Sequence, residues 1–332
     1  MIRNLTLIIN MLFTAFLTVG AQEVLKFNND KTFKIVQFTD VHYIADDTRS
    51  DAALENMREV LDYEKPDFVM FTGDIIYGKP ADKSMLEVLG VVSERKIPFA
   101  VVFGNHDDEH GMTRKQLFEL IKDMPYNMTS TTDGIKGVTN YILPVQSAES
   151  DKAAFLLYCF DSNAYSSIEG VKGYDYIHFN QIAWYRERSA AYTKNNGGAP
   201  VPAVAFFHIP LPEYNQAASD EQAILTGTRK EKACAPELNT GMFAAIKEMG
   251  DVMATFTGHD HDNDYAVYRH GIMLAYGRYT GGNTVYNNLK PNGARVIEIT
   301  EGQKGLRTWI RLRGGRVIHD IQYPDFFLKD KN

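Results

Sequence analysis

Phe71-Thr72-Gly73-Asp74-Ile75-Ile76-Tyr77 closes an apolar run that begins at Phe68. A continuous hydrophobic segment that stops at Thr-Gly-Asp reads as a buried parallel strand delivering one carboxylate to its C-terminal edge. Pro66 precedes the run, and before it Leu54, Met57, Val60 and Leu61 recur at helical spacing after Ser50 or Asp51, either of which suits an N-cap. Upstream lies Lys34–Thr39, a strand ending at Asp40-Val41-His42. Downstream, a helix is predicted over 82–96, then a strand over 99–103 ending at Gly104-Asn105-His106-Asp107. Strand, helix, strand, helix, strand argues for parallel pairing with right-handed crossovers.

The same punctuation recurs later. Strands are predicted over 201–207, landing on His208, and over 252–257, landing on Gly258-His259-Asp260-His261. Helices are predicted over 116–123, 180–192 and 240–249, and 213–239 reads as one long loop of the kind that carries function. Short runs separated by glycines (272–276, 295–300, 308–312) suggest a second, more antiparallel sheet. The expectation is one α/β domain: two packed mixed β-sheets flanked by helices.

The 332 residues, 44% of them hydrophobic, can build a large core, and the net charge of -7 gives no footprint for nucleic acid or an anionic membrane. Residues 1–21 read as a cleaved secretory signal, with Arg3, the apolar run Leu5–Val19 and small residues up to Ala21. A mature domain over 22–332, secreted or periplasmic and with no membrane association after cleavage, is therefore expected. Cys159 and Cys234 could pair, but a core this large does not require it.

Each block that closes a strand carries metal-ligand chemistry: Asp40 and His42, Asp74, Asn105 and His106, His208, and His259 with His261. Five of the nine histidines fall there. Asp74 stands alone in its block with two oxygens, which suits a bridge between two ions. Imidazole, carboxylate and amide donors together favour zinc, iron or manganese over magnesium.

The order Asp-x-His, Gly-Asp, Gly-Asn-His-Asp, His, Gly-His-x-His resembles the calcineurin-like metallophosphoesterase superfamily. The stretches Phe207–Tyr214 and Gly258–Tyr265 resemble its short purple-acid-phosphatase-like branch. The resemblance implies a four-layer metallophosphoesterase-like β-sandwich. It implies one metal on Asp40, His42 and His261, a second on Asn105, His208 and His259, and Asp74 bridging both. His106 would then bind phosphate or protonate the leaving oxygen, while a hydroxide held between the ions attacks phosphorus in line.

The implied activity is an exported phosphomonoesterase acting on a small-molecule or extracellular phosphoester. A phosphodiesterase or nucleotide pyrophosphatase on the same scaffold is the enzymatic alternative, and a non-catalytic, metal-retaining binding module is the alternative of another class. Asp107 reads either as an orienter of His106 or as a turn carboxylate, and Arg278 either as a phosphate clamp or as half of a structural pair with an aspartate. Asp260, Asp262 and Asp264 are candidate partners of the ligand histidines, though solvated loop positions suit them better. Tyr165, Tyr174, Tyr176 and Tyr214 could stack on an aromatic leaving group. Tyr77 has the spacing of the tyrosine that ligates ferric iron in purple acid phosphatases. The first block there is Asp-x-Gly, however, so His42 is expected to take that place, giving a colourless site with Tyr77 packed nearby.

Overall fold

A computed structural model describes residues 23–328; the N-terminal signal reading falls outside them. The first sheet is built on three parallel strands, β2 (Thr32–Phe38), β3 (Phe68–Thr72) and β4 (Phe99–Val102). Helices α1 (Asp51–Glu64) and α2 (Ala81–Ser93) make the crossovers. α1 buries Ala53, Met57, Val60 and Leu61 along one stripe, and it ends at Lys65 in a left-handed conformation just ahead of Pro66. Every residue of β3 and β4 is buried, as strands covered on both faces require. After β4, helix α3 (Arg114–Ile121) starts on a capping box between Thr113 and Gln116.

The second sheet has eight strands, in the order β1 (Leu25–Lys26), β5 (Tyr141–Gln146), β6 (Ala153–Cys159), β7 (Ala203–Phe206), β9 (Val252–Thr257), β11 (Ile272–Tyr276), β10 (Ala266–Arg269) and β8 (Leu225–Thr226). Its centre, β6-β7-β9-β11, is parallel. Helices α4 (Phe179–Asn195), α5 (Glu213–Ala218) and α6 (Met242–Met249) cover its outer face. The segment read as a loop over 213–239 thus contains α5 and β8.

Where the glycine-broken tail suggested a sheet of its own, the chain divides it. β11 joins the eight-stranded sheet, while β12 (Gly293–Thr300), β13 (Leu306–Leu312) and β14 (Val317–Tyr323) extend the first sheet antiparallel from β2. A local pattern reports that a strand is half-buried but not which edge it completes. The terminal helix α7 (Asp325–Leu328) follows β14.

Ile35, Phe68, Met70 and Ile297 from one sheet meet Leu157, Phe206, Phe256 and Met273 from the other in the central core. Val36, Val69 and Phe71 point the opposite way onto α1 and α2. The layers are therefore helices, sheet, sheet, helices. Above this core two polar stitches fasten the sheets. Gln37 Nε2 donates to Thr257 O (3.0 Å) and Thr72 Oγ1 (2.8 Å), and the fully buried Arg295 donates to Tyr276 O (2.5 Å) and Asp264 O (2.7 Å). They hold the C-terminal ends of β2, β3, β9 and β11 together, the end where loops of parallel strands collect ligands. Cys159 is buried and Cys234 exposed, both as free thiols. Among the described residues no helix is long and apolar enough to cross a membrane.

Candidate dimetal centre

All five blocks sit just past the C-terminal ends of β2, β3, β4, β7 and β9. The backbone must turn at once to aim side chains inward. Asp40, His42, Asp74 and His259 all adopt positive φ, between +46° and +80°. Such conformations cost about 1–3 kcal/mol each for residues with a Cβ, although aspartate tolerates them better. Gly73 (φ +86°) is required on two counts: a Cβ there would meet Gly104 N and the His208 ring, both at 2.6 Å. At Gly104 a Cβ would strike the Asp74 carboxylate.

The side chains converge in two groups that could each hold an ion: Asp40 with His42 and His261, and Asp74 with His208 and His259. All six are buried. His42 Nε2 and His261 Nε2 lie 2.9 Å apart, and His208 Nε2 and His259 Nδ1 3.3 Å apart. One oxygen, Asp74 Oδ2, stands between the groups, 3.7 Å from His42 Nε2 and 3.1 Å from His208 Nε2. Asp74 Oδ1 instead accepts the backbone N–H of His106 at 2.8 Å.

Two observations show that this donor set fits cations. The first is tautomeric. His208 Nδ1 faces Thr72 O at 2.7 Å and His261 Nδ1 faces Tyr286 O at 2.9 Å. Carbonyls only accept, so these nitrogens carry hydrogen and each Nε2 is the nitrogen left to face the centre. The second is an acceptor left free: Asn105 Oδ1 is buried without a partner among the described residues, so it is available to a cation or another donor.

Charge agrees with this. Burial and the neighbouring histidines hold His42 and His259 well below the usual imidazole range, and burial pushes His261 down to about 4. Lowered in this way, the three imidazoles suit the binding of a cation. Burial also disfavours charge on His208, but Asp74 and Asp40 outweigh it and raise it to about 9. Against the burial that would raise it, Asp74 is held far below the carboxylate range by His208 and His42. A proton on His208 thus occupies the place a cation would take.

Residues 33–263 match the family model described as calcineurin-like phosphoesterase. The chain belongs to that family. A protein of Arabidopsis thaliana named "Probable inactive purple acid phosphatase 14" is 30% identical over 314 residues, 84% of this chain and 77% of its own. "Phosphatase DCR2" of Saccharomyces cerevisiae is 34% identical over 341 residues, 91% of this chain and 57% of the yeast protein. Among solved structures, a dimetal phosphatase from Danio rerio superposes with a TM-score of 0.60 at 14% identity, covering 87% of this chain and 98% of that one. That likeness is one of fold.

Around the candidate metal cup of this family member several residues take positions other than those expected. Asp107 does not orient His106. Its fully buried carboxylate accepts the backbone N–H groups of Asp74 (3.1 Å), Ile75 (2.7 Å), Ile76 (3.1 Å) and Gly104 (2.7 Å), tying the second block to the third. The carboxylate beside His106 Nδ1 is Glu109, at 2.6 Å. Arg278 does not face the site either. It is buried, donating to Asp264 Oδ2 (2.6 Å) and Pro291 O (2.7 Å), because a guanidinium taken out of water needs a carboxylate and Asp264 supplies one.

Asp260, Asp262 and Asp264 touch no ligand histidine, and none is solvated. Asp260 accepts from Tyr276 Oη (2.6 Å), Asp262 from Asn288 N (2.6 Å) and Asp264 from Thr228 N (2.6 Å). Arg114, the first residue of α3, carried no sequence signal for the site. Buried, it reaches Asp161 Oδ1 (2.6 Å), Gly104 O (2.6 Å) and Asn163 O (2.8 Å), and so clamps the loop that presents Asn105 and His106.

Aromatic rings wall the cup. The Tyr77 ring lies edge-on at 5.1 Å to both His42 and His106. Tyr174 stands edge-on to His259 at 4.2 Å and stacks on Tyr165, and Tyr286 stacks on His261 at 4.4 Å. Tyr214 is buried against Thr255, and Tyr176 stacks on His178. The cup is open. A separate cavity of about 210 Å³, lined by Pro202, Val252, Ile272 and Tyr323, lies at the other, N-terminal ends of β7, β9 and β11.

Proposed function

We propose that this chain is a two-metal phosphatase that hydrolyses phosphate monoesters. The observation that carries the reading is the complete buried donor set, Asp40, His42, Asp74, Asn105, His208, His259 and His261, with a half-buried imidazole beside it. In this reading Asp40, His42 and His261 would hold one cation and Asn105, His208 and His259 the other, with Asp74 shared between the two groups. Bound there, zinc, iron or manganese supplies a water of lowered pKa and charge to offset the phosphate oxygens.

The chain's own groups do the rest. His106 has its backbone N–H on Asp74 Oδ1, which fixes its place relative to the bridge. Its Nδ1 is occupied by Glu109, so Nε2 is the nitrogen left to take up a proton and, with the ring carrying both hydrogens, to hand it to the departing oxygen. The Tyr77, Tyr174 and Tyr286 rings limit water around the ligands.

The yeast relative is named a phosphatase and the Arabidopsis relative a "Probable inactive" one. The intact donor set together with His106 favours activity here. The net charge of -7 favours a small phosphoester over nucleic acid as substrate, and the leader over 1–21 favours export, which N-terminal sequencing of the mature chain from near Gln22 would check.

The test is metal content with turnover of p-nitrophenyl phosphate and of bis(p-nitrophenyl) phosphate, for wild type and Asp74→Asn. About two metals per chain, monoester turnover and its loss in the variant are expected. Turnover of the diester alone would replace the monoesterase with a phosphodiesterase. Full metal occupancy with neither turnover would make the chain a binding module.

A further inference from the structure

Asn105 and His106 are each ambiguous in isolation, since an amide can present oxygen or nitrogen and a neutral imidazole exists as two tautomers. A chain of hydrogen bonds around them removes both ambiguities. His106 Nδ1 lies 2.6 Å from Glu109 Oε2, Tyr165 Oη 2.8 Å from Glu109 Oε1, and Asn105 Nδ2 3.3 Å from Tyr165 Oη.

Carboxylate oxygens only accept. Tyr165 must therefore spend its one hydrogen on Glu109, and its oxygen is left to accept from the Asn105 amide nitrogen. The other end of that amide, Oδ1, is then the atom turned away from Tyr165, and it is the buried atom without a protein partner. By the same rule His106 gives its Nδ1–H to Glu109, which leaves Nε2 bearing the lone pair. Asp107 cannot substitute, because four backbone N–H groups already hold it.

We propose that Glu109, relayed by Tyr165, is the positioning residue that sets the polarity of both Asn105 and His106. One carboxylate outside the ligand set thereby aims the amide oxygen at a cation and fixes the imidazole nitrogen that exchanges a proton with substrate. The inference rests on the dimetal reading of Asn105, but its geometry stands apart from turnover. Both residues come from loops, Glu109 between β4 and α3 and Tyr165 after β6. Tyr165 is 47% exposed, and Tyr and Glu here lie outside the packed core. Their role is thus separable from folding.

The experiment uses the mature chain as wild type, Tyr165→Phe and Glu109→Gln. Stepwise zinc titration by calorimetry reads the two sites. Long-range nitrogen–proton NMR of zinc-free protein reads the His106 tautomer, with the resonance assigned by its loss in His106→Asn. Spectra are taken over a pH series, and the tautomer is read where the ring-nitrogen shifts themselves report a neutral imidazole.

The expected result is an Nδ1–H tautomer in wild type that becomes mixed or reversed in Glu109→Gln. In both variants the weaker zinc step should loosen by about tenfold, the effect usual for losing a partner of a metal ligand, with the tighter step unchanged. Melting temperatures should match wild type. An Nε2–H tautomer in wild type, or wild-type zinc affinities in Tyr165→Phe, would overturn the inference. If wild type hydrolyses no phosphoester while the tautomer and zinc shifts appear, the phosphatase reading fails and this one stands.

Discussion

The floor of the site and its rim are built by different means. On the floor, Asp40, His42, Asp74, His208, His259 and His261 are buried, and backbone groups fix them: Asp40 accepts His259 N at 3.0 Å, and His208 donates to Thr72 O. Four of the six sit at positive φ, locked by turns that follow strand ends. On the rim, His106, Glu109, Tyr165 and Tyr286 are half-buried or exposed and are held through side chains: the first three by one another, and Tyr286 by the bond from its Oη to Glu231 (3.1 Å). A floor set by backbone can store strain and cation affinity. A rim set by side chains can be altered without disturbing the fold.

Substitutions should separate the two. The largest effect is expected for Asp74→Asn on the floor. Removing the shared charge should lower turnover on the order of 10³-fold or more and cost at least one metal per chain by elemental analysis. Retention of both metals would show that Asp74 is not the link between the groups. Next comes His106→Asn on the rim, which should lower kcat by about 10²-fold, the range of a general acid, and leave metal content at the wild-type value. Loss of metal in that variant would erase the distinction between floor and rim.

Below the floor, Arg278→Met strands the buried Asp264 carboxylate. Urea unfolding should show a loss of about 3 kcal/mol, the usual cost of breaking one side of a buried pair. Specific activity of the folded fraction should stay within about twofold, whereas a phosphate clamp would show a raised KM instead. The smallest effect is expected for Tyr286→Phe. Among the described residues its hydroxyl bonds only Glu231, at an exposed position, so stability should move by no more than about 0.5 kcal/mol. A large drop in zinc affinity there would mean that the Tyr286 ring, stacked on His261, depends on that hydroxyl for its place.

The parts legible in the sequence were those written locally. Apolar runs ending in Asp, His or Asn marked five strand ends, whereas the helix expected from residue 116 in fact starts at Arg114, on the Thr113–Gln116 capping box. Glu109 was legible in principle, three residues after His106, but nothing local says whether Asp107 or Glu109 turns towards the ring. That choice is made by the backbone N–H groups of Asp74, Ile75, Ile76 and Gly104, which converge on Asp107 only once β3 and β4 lie side by side.

The sequence alone determined the α/β class, the order of the ligand blocks and the donor chemistry, because strand period and residue type are properties of short segments. The tertiary structure decided the partners: Arg278 with Asp264, Arg114 with Gly104 and Asp161, Tyr165 with Glu109, and β12 beside β2. Each joins residues far apart in the chain or chooses among equivalent neighbours. The energy that selects such a contact, a buried charge that must be paired or an N–H that must be met, exists only after the two sheets have closed on each other.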